Sequence, residues 1–148
     1  MQRYAQPADA GCIDELHAAL DRLWAETANV DAMRRLRFAT ALSEVVANVV
    51  EHGRTPDGGT PTLTVSLSAG PAGLLAELRD DGVAVAKHAP WELPDDELAE
   101  SGRGLALARE ALDELRYSHV NGVNHWALVI RPGLTATPAR CRRAAPRR

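Results

Sequence analysis

Between residues 36 and 53 the chain reads LRFATALSEVVANVVEHG. At about 100° per residue, a helix gathers Leu42, Val45, Val46 and Val49 onto one broad arc. Glu44, Asn48, Glu51 and His52 fall on a narrower stripe at its border, with Arg34 and Arg37 one or two turns earlier. Polar groups at the margin of a core cost roughly 1–3 kcal/mol each unless they find partners. The pattern therefore predicts one wall of a ligand site as well as a core helix. Asp31 reads as its N-cap and Gly53 as its C′ stop, so the helix is expected over 31–52.

Before it, Cys12, Leu16, Ala19, Leu20 and Leu23 recur at helical spacing from a cap at Asp9 to about Ala28, and residues 1–5 suggest a short edge strand. After it, TLTVSLS (62–68) alternates strictly and puts Leu63, Val65 and Leu67 on one face. AGPAG turns the chain into LLAELRD (74–80), which makes an antiparallel hairpin. The stretch 83–101 has two prolines, several acids and little periodicity, the character of a functional loop. A third helix is expected at about 103–115. LRYSHV (115–120) and NHWALVIR (124–131) around NGV predict a closing hairpin. Helices on one face of a mostly antiparallel sheet make a two-layer α/β sandwich with about three helices.

Composition narrows the partners. The 148 residues suit one domain with a real core, and 45% hydrophobic with 25% charged residues is ordinary for a soluble protein. No apolar run reaches the roughly 20 residues of a membrane span, and the first residues lack a signal peptide's apolar stretch. Cys12 and Cys141 are far apart and have no spaced co-ligands, so neither a disulfide nor zinc is expected; the chain reads as cytoplasmic. Net charge is −3, yet residues 131–148 hold six arginines and no acid. Residues 1–130 thus carry 11 basic against 20 acidic side chains, a balance of −9. An acidic body argues against nucleic acid as a partner. Residues 132–148 are expected to be a basic, disordered tail, and 1–131 the folded domain.

Two further motifs carry chemistry. Asp80-Asp81-Gly82-Val83-Ala84 closes a strand; an acid before glycine there is often only a turn. Ser101-Gly102-Arg103-Gly104-Leu105-Ala106 leads toward a helix. Glycines let a backbone approach an anion, and N–H groups opening a helix favour phosphate, although a flexible helix start explains them nearly as well. The spacing is neither a P-loop nor a dinucleotide fingerprint.

Taken in order, these pieces are specific. A helix with Glu and Asn four apart, a hairpin ending in DxG, a long loop and a GxG motif together resemble the Bergerat-type ATP-binding fold (GHKL) of histidine kinases, gyrase-type ATPases and MutL. SEVVANVVEHG is similar to the N-box, LRDDGVA to the G1 box and ESGRGLALARE to the G2 box of anti-sigma regulatory factors, serine/threonine kinases of the RsbW and SpoIIAB kind. The resemblance covers roughly residues 10–130. It implies Mg²⁺ and ATP as cofactors, with Asn48 as the metal's side-chain ligand and Glu44 as general base. Asp80 would accept a hydrogen bond from the adenine amino group, and Gly82 would let the base lie against the backbone. Gly102 and Gly104 would shape the phosphate end of a lid over 86–101, and Arg103 would either reach the γ-phosphate or face solvent. His52 would cap its helix or take part in catalysis.

The partners implied are a sigma factor and a STAS-domain anti-sigma antagonist, with homodimerisation. Ala84 and Ala106 stand where the family often has glycine, which leaves room for a non-catalytic ATP sensor that binds proteins. A detached histidine-kinase-like ATPase domain is a further alternative.

Overall fold

The computed structural model describes residues 1–85 and 100–133. Residues 86–99, which hold most of the expected lid and Trp91, lie outside the described residues, as do 134–148 with Cys141. Five strands form one antiparallel sheet in the order β1-β2-β3-β5-β4: β1 (Gln2–Pro7), β2 (Thr62–Gly70), β3 (Gly73–Asp80), β4 (Glu114–Val120) and β5 (Val123–Ile130). Three helices cover one face. Helix α1 (Cys12–Glu26) lies over β1 and β2, α2 (Ala32–His52) over β3 and β5, and α3 (Glu100–Ala111) beside α2 and against β4. This is the two-layer α/β sandwich expected from the sequence.

Alternation sets the register. Leu63, Val65 and Leu67 of β2, Ala76 and Leu78 of β3, and Trp126, Leu128 and Ile130 of β5 all point at the helices and are buried. They meet Phe38, Leu42, Val45, Val46 and Val49 of α2, so the valine arc enters the core as its spacing requires. Trp24 edges onto Phe38 with ring centroids 6.2 Å apart, and the Arg35 guanidinium sits 5.2 Å over the Trp24 ring. No described helix covers the opposite face of the sheet, which carries Thr64, Ser66, Glu77, Arg79, His125 and Arg116 beside Leu75, Ala127 and Val129.

Several boundaries differ from those expected, each for a local reason. Asp9 is not the α1 cap; its Oδ1 accepts the Gly11 N–H at 2.9 Å in a turn, and the helix starts at Cys12. Asp31 does cap α2, accepting the Arg34 N–H at 2.9 Å. Gly53 ends α2 without a left-handed turn, at φ −64° and ψ 130°. Glycine is needed there for space, because a Cβ would meet the Val49 carbonyl and lie 3.0 Å from Pro61 Cγ. The first hairpin is tighter than its sequence suggested: Gly70 pairs with Gly73, and only Pro71 and Ala72 form the loop. The closing hairpin turns on Asn121 and Gly122, with φ 51° and 77°, the paired positive angles that a two-residue type I′ turn demands.

Helix α3 begins three residues before the expected start and ends at Ala111, because Leu115 belongs to β4. The leucine spacing that suggested a longer helix is real, but Leu112 and Leu115 reach the core from a turn and a strand.

The Tyr4 hydroxyl on β1 is buried and has no hydrogen-bond partner among the described residues, and burial first, then the neighbouring Cys12 and Glu15, push its ionisation well above the ordinary value of 10. Because the folded state resists this ionisation, its stability is intact below the unfolded value and declines as pH climbs past it. Tyr4→Phe is therefore expected to raise stability by about 1 kcal/mol at neutral pH and to lessen the alkaline loss. Urea unfolding between pH 7 and 11 checks both.

Candidate functional site

The site is built where the C-terminal half of α2 crosses the end of β3. Helix α2 can run for 21 residues because its apolar arc has a continuous sheet to lie on. Its border residues thereby stand above the carboxyl end of β3. Asn48 is 8% exposed and lines a small cavity of about 110 Å³ together with Asp80, His52, Ala84, Val85 and Asn124. Its Nδ2 is buried and, among the described residues, has no hydrogen-bond partner. A buried amide N–H without an acceptor costs free energy, which an acceptor such as a phosphate oxygen would relieve.

Asp80 is 3% exposed, and its Oδ1 accepts the Gly82 N–H at 2.9 Å and the Asn124 Nδ2 at 2.9 Å. Gly82 has no room for a side chain: a Cβ would stand 2.8 Å from that carboxylate oxygen and 3.2 Å from the Arg54 carbonyl. The Val83 N–H donates to the same carbonyl at 2.7 Å, so the loop that leaves α2 braces the loop that leaves β3. The DxG motif is thus more than a turn. Its glycine lets the carboxylate fold back onto its own backbone.

Glu44 lies one turn before Asn48 and is partly buried. Its carboxylate touches the α-carbon side of Gly104 on α3, where any Cβ would overlap Glu44 Oε2. Gly102 and Gly104 are therefore inside α3 and not ahead of it. A helix that begins at Glu100 leaves the Gly102 N–H free in its first turn and uses those of Arg103 and Gly104 internally. Arg103 is exposed. His52 closes α2, its Nε2 3.5 Å from Glu51 Oε2 and half exposed. A helix C-terminus is where a cation is favoured. Arg37, on the same stripe, reaches across to α3's end, with Nε 2.9 Å from the Ala111 carbonyl.

Structure thus brings Asn48, Asp80 and the Gly82 turn around one cavity, with Glu44 and Gly104 in contact a turn away. Sequence reasoning missed Asn124 and Tyr117. Asn124 is 1% exposed; its Nδ2 also faces the carbonyls of Gly82 and Val83, and its Oδ1 accepts from the Tyr117 hydroxyl. The signal was present, since Asn124 occupies the inward phase of β5 shared with Trp126, Leu128 and Ile130. A wider hollow of about 490 Å³ opens on the bare face of the sheet beside Arg79, Arg116 and His125. It is an open trough bordered also by Tyr117 and Trp126, and it shares neither Asn48 nor Asp80 with the smaller cavity.

The family model of the histidine kinase-like ATPase domain matches residues 7–130. The chain belongs to that family. No curated protein matches it. Among solved structures, it is similar to the RsbU and RsbW domains of Rv1364c from Mycobacterium tuberculosis, at 23% identity with a TM-score of 0.58. That likeness covers 88% of this chain and 32% of the other, and it speaks for the fold. For this ATPase-family chain, the Asn48 amide oxygen and the Asp80 carboxylate are the oxygen types that Mg²⁺ and an adenine amino group require, while the unpartnered Asn48 Nδ2 is a donor that fits a phosphate oxygen and not the metal. Among the described residues, no helix is long and apolar enough to cross a membrane.

The Gly104–Glu44 contact yields a test. Gly104→Ala adds a methyl where the Glu44 carboxylate sits, and that carboxylate is the free end of a flexible side chain. The helix gains up to about 1 kcal/mol in propensity, so thermal stability should hold or rise, while Glu44 must swing aside and ATP turnover should fall. Melting curves and turnover assays on the same preparation check both.

Proposed function

We propose that this chain is an ATP-binding regulatory protein: an anti-sigma factor of the RsbW and SpoIIAB kind that phosphorylates a serine of a STAS-domain antagonist. The observation that carries the reading is the convergence of Asn48 and Asp80 on one cavity, with Glu44 a turn away on the same helix. Residues 1–131 are read as the ATPase domain and 132–148 as its basic tail, in a cytoplasmic protein that pairs with itself, a sigma factor and the antagonist in place of nucleic acid.

Each side chain then has a task that its chemistry supports. Asp80 accepts a hydrogen bond from the 6-amino group of adenine, which a guanine carbonyl cannot supply. Asn48 offers its amide oxygen to Mg²⁺, a hard ion that takes few protein ligands. When bound, Mg²⁺ supplies neutralisation of the phosphate charge during transfer. Glu44, partly buried beside Gly104, takes the proton from the attacking serine hydroxyl. The Gly102 N–H, free in the first turn of α3, would face the anion from the helix start. Gly104 serves by admitting α3 close to Glu44. The phosphoserine product carries about −2 charge, enough to change which partner the protein holds.

A non-catalytic sensor is the second reading, favoured by Ala84 in the cavity wall, where an added methyl tightens the pocket. Substitutions separate the two. Glu44→Gln is expected to abolish labelling of the antagonist by γ-labelled ATP while nucleotide affinity changes less than about threefold. Asn48→Ala is expected to weaken Mg-ATP binding by at least about tenfold, as the loss of a charge-assisted contact implies. Labelling that persists in Glu44→Gln removes Glu44 as the base; wild-type binding with no labelling of any antagonist selects the sensor.

A further inference from the structure

We propose that Asn124 and Tyr117 are positioning residues for adenine recognition, holding the Asp80 carboxylate so that one oxygen alone is presented to the base. The inference rests on the nucleotide reading and names residues of that site which neither its motifs nor the family match assigns.

Register places the parts. Asp80 on β3 is directly opposite Asn124 on β5, and Tyr117 on β4 is opposite Trp126, two residues further along. An aromatic side chain reaches such a diagonal neighbour. The Tyr117 ring is seated on Trp126 with centroids 4.6 Å apart, and its hydroxyl accepts the Val85 N–H at 2.8 Å while donating to Asn124 Oδ1. Burial foremost, and then the negative charge of Asp80, raise the Tyr117 ionisation above its ordinary range, so the hydroxyl stays a donor at neutral pH.

That donor fixes the amide. With Asn124 Oδ1 committed to the hydroxyl, its Nδ2 must face Asp80 Oδ1 at 2.9 Å, the Gly82 carbonyl at 3.2 Å and the Val83 carbonyl at 2.9 Å. Three acceptors around one NH₂ group exclude the flipped amide. Asp80 Oδ1, taking one bond from Asn124 and one from the Gly82 N–H, is thereby occupied, and the carboxylate plane is set. Among the described residues, Asp80 Oδ2 has no hydrogen-bond partner. The bonds to the Gly82 and Val83 carbonyls, with that from the Val85 N–H to the Tyr117 hydroxyl, hold residues 82–85 in place, and Val83, Ala84 and Val85 wall the cavity with Asp80. Asn124 borders the cavity, but its amide is committed to these protein partners, so the network orients the acceptor and shapes its surroundings.

Purine riboside triphosphate, which lacks the 6-amino group, separates positioning from general support of the pocket. By calorimetry on the full chain, wild type should bind Mg-ATP at least about tenfold more tightly than this analogue. Asn124→Ala should lose about tenfold for ATP and little for the analogue, so that the preference collapses. Tyr117→Phe keeps the ring on Trp126 and removes only the hydroxyl; it should lose several-fold of the preference. A merely structural role would weaken both ligands by the same factor. If Asn124→Ala fails to fold, Tyr117→Phe decides alone. Folded variants that keep the wild-type preference overturn the positioning role. A wild type that binds both ligands equally overturns it too but leaves the nucleotide reading standing, whereas one that binds neither overturns both.

Discussion

A carboxylate at the end of the central strand, with only 3% of its surface exposed, constrains everything around it. Burying an ionised group without partners is prohibitive, so Asp80 must be met by donors that are themselves held still. The Gly82 N–H can reach it only because position 82 has no side chain. Asn124 can reach it only because β5 pairs with β3 in the register that sets the two opposite. The loop after α2 braces the same turn through the Arg54 carbonyl, so the end of the helix and the end of the strand are located by one set of bonds. Site and fold share this geometry.

Helix α2 connects that anion to the rest of the chemistry. Its valine arc is bound to the sheet, which removes its freedom to roll, and the border residues inherit that fixed orientation. Asn48 then overlooks the cavity with an Nδ2 that has no partner among the described residues, and Glu44 meets α3 at Gly104. Packing specifies where the polar groups stand, and their chemistry follows from where packing puts them.

Much of this was legible in the residues. Period 3.6 located α1 and α2 and period 2 located β2, because each of those elements buries one clean face, while turn signals placed the strands of the two hairpins. The Asn-Gly turn was readable because few other pairs accept two positive φ angles. What escaped reading was set by distant partners. Gly102 and Gly104 look like a flexible loop in sequence; only contact with Glu44, some 60 residues away, explains a glycine inside a helix. Leu115 continues a helical spacing yet belongs to β4, since Asp113 is tied to the β5 strand by its N–H to the Val129 carbonyl at 3.0 Å. Asn124 announced itself only as a polar residue in the wrong phase, and its meaning depended on knowing that Asp80 lay across from it.

The strand order has a kinetic consequence. The β2–β3 and β4–β5 hairpins each close through a two-residue loop and can form locally, but β3 and β5 join across a sequence separation of 44 between Asp80 and Asn124. Long-range pairing of this kind comes late, because loop-closure entropy must be met before the contact rewards it. Asp80 sits on one hairpin and its amide partner on the other. Neither half alone holds a finished acceptor, so a ligand that depends on Asp80 binds only chains in which the two hairpins have docked, and it stabilises that docked state over every partly folded one.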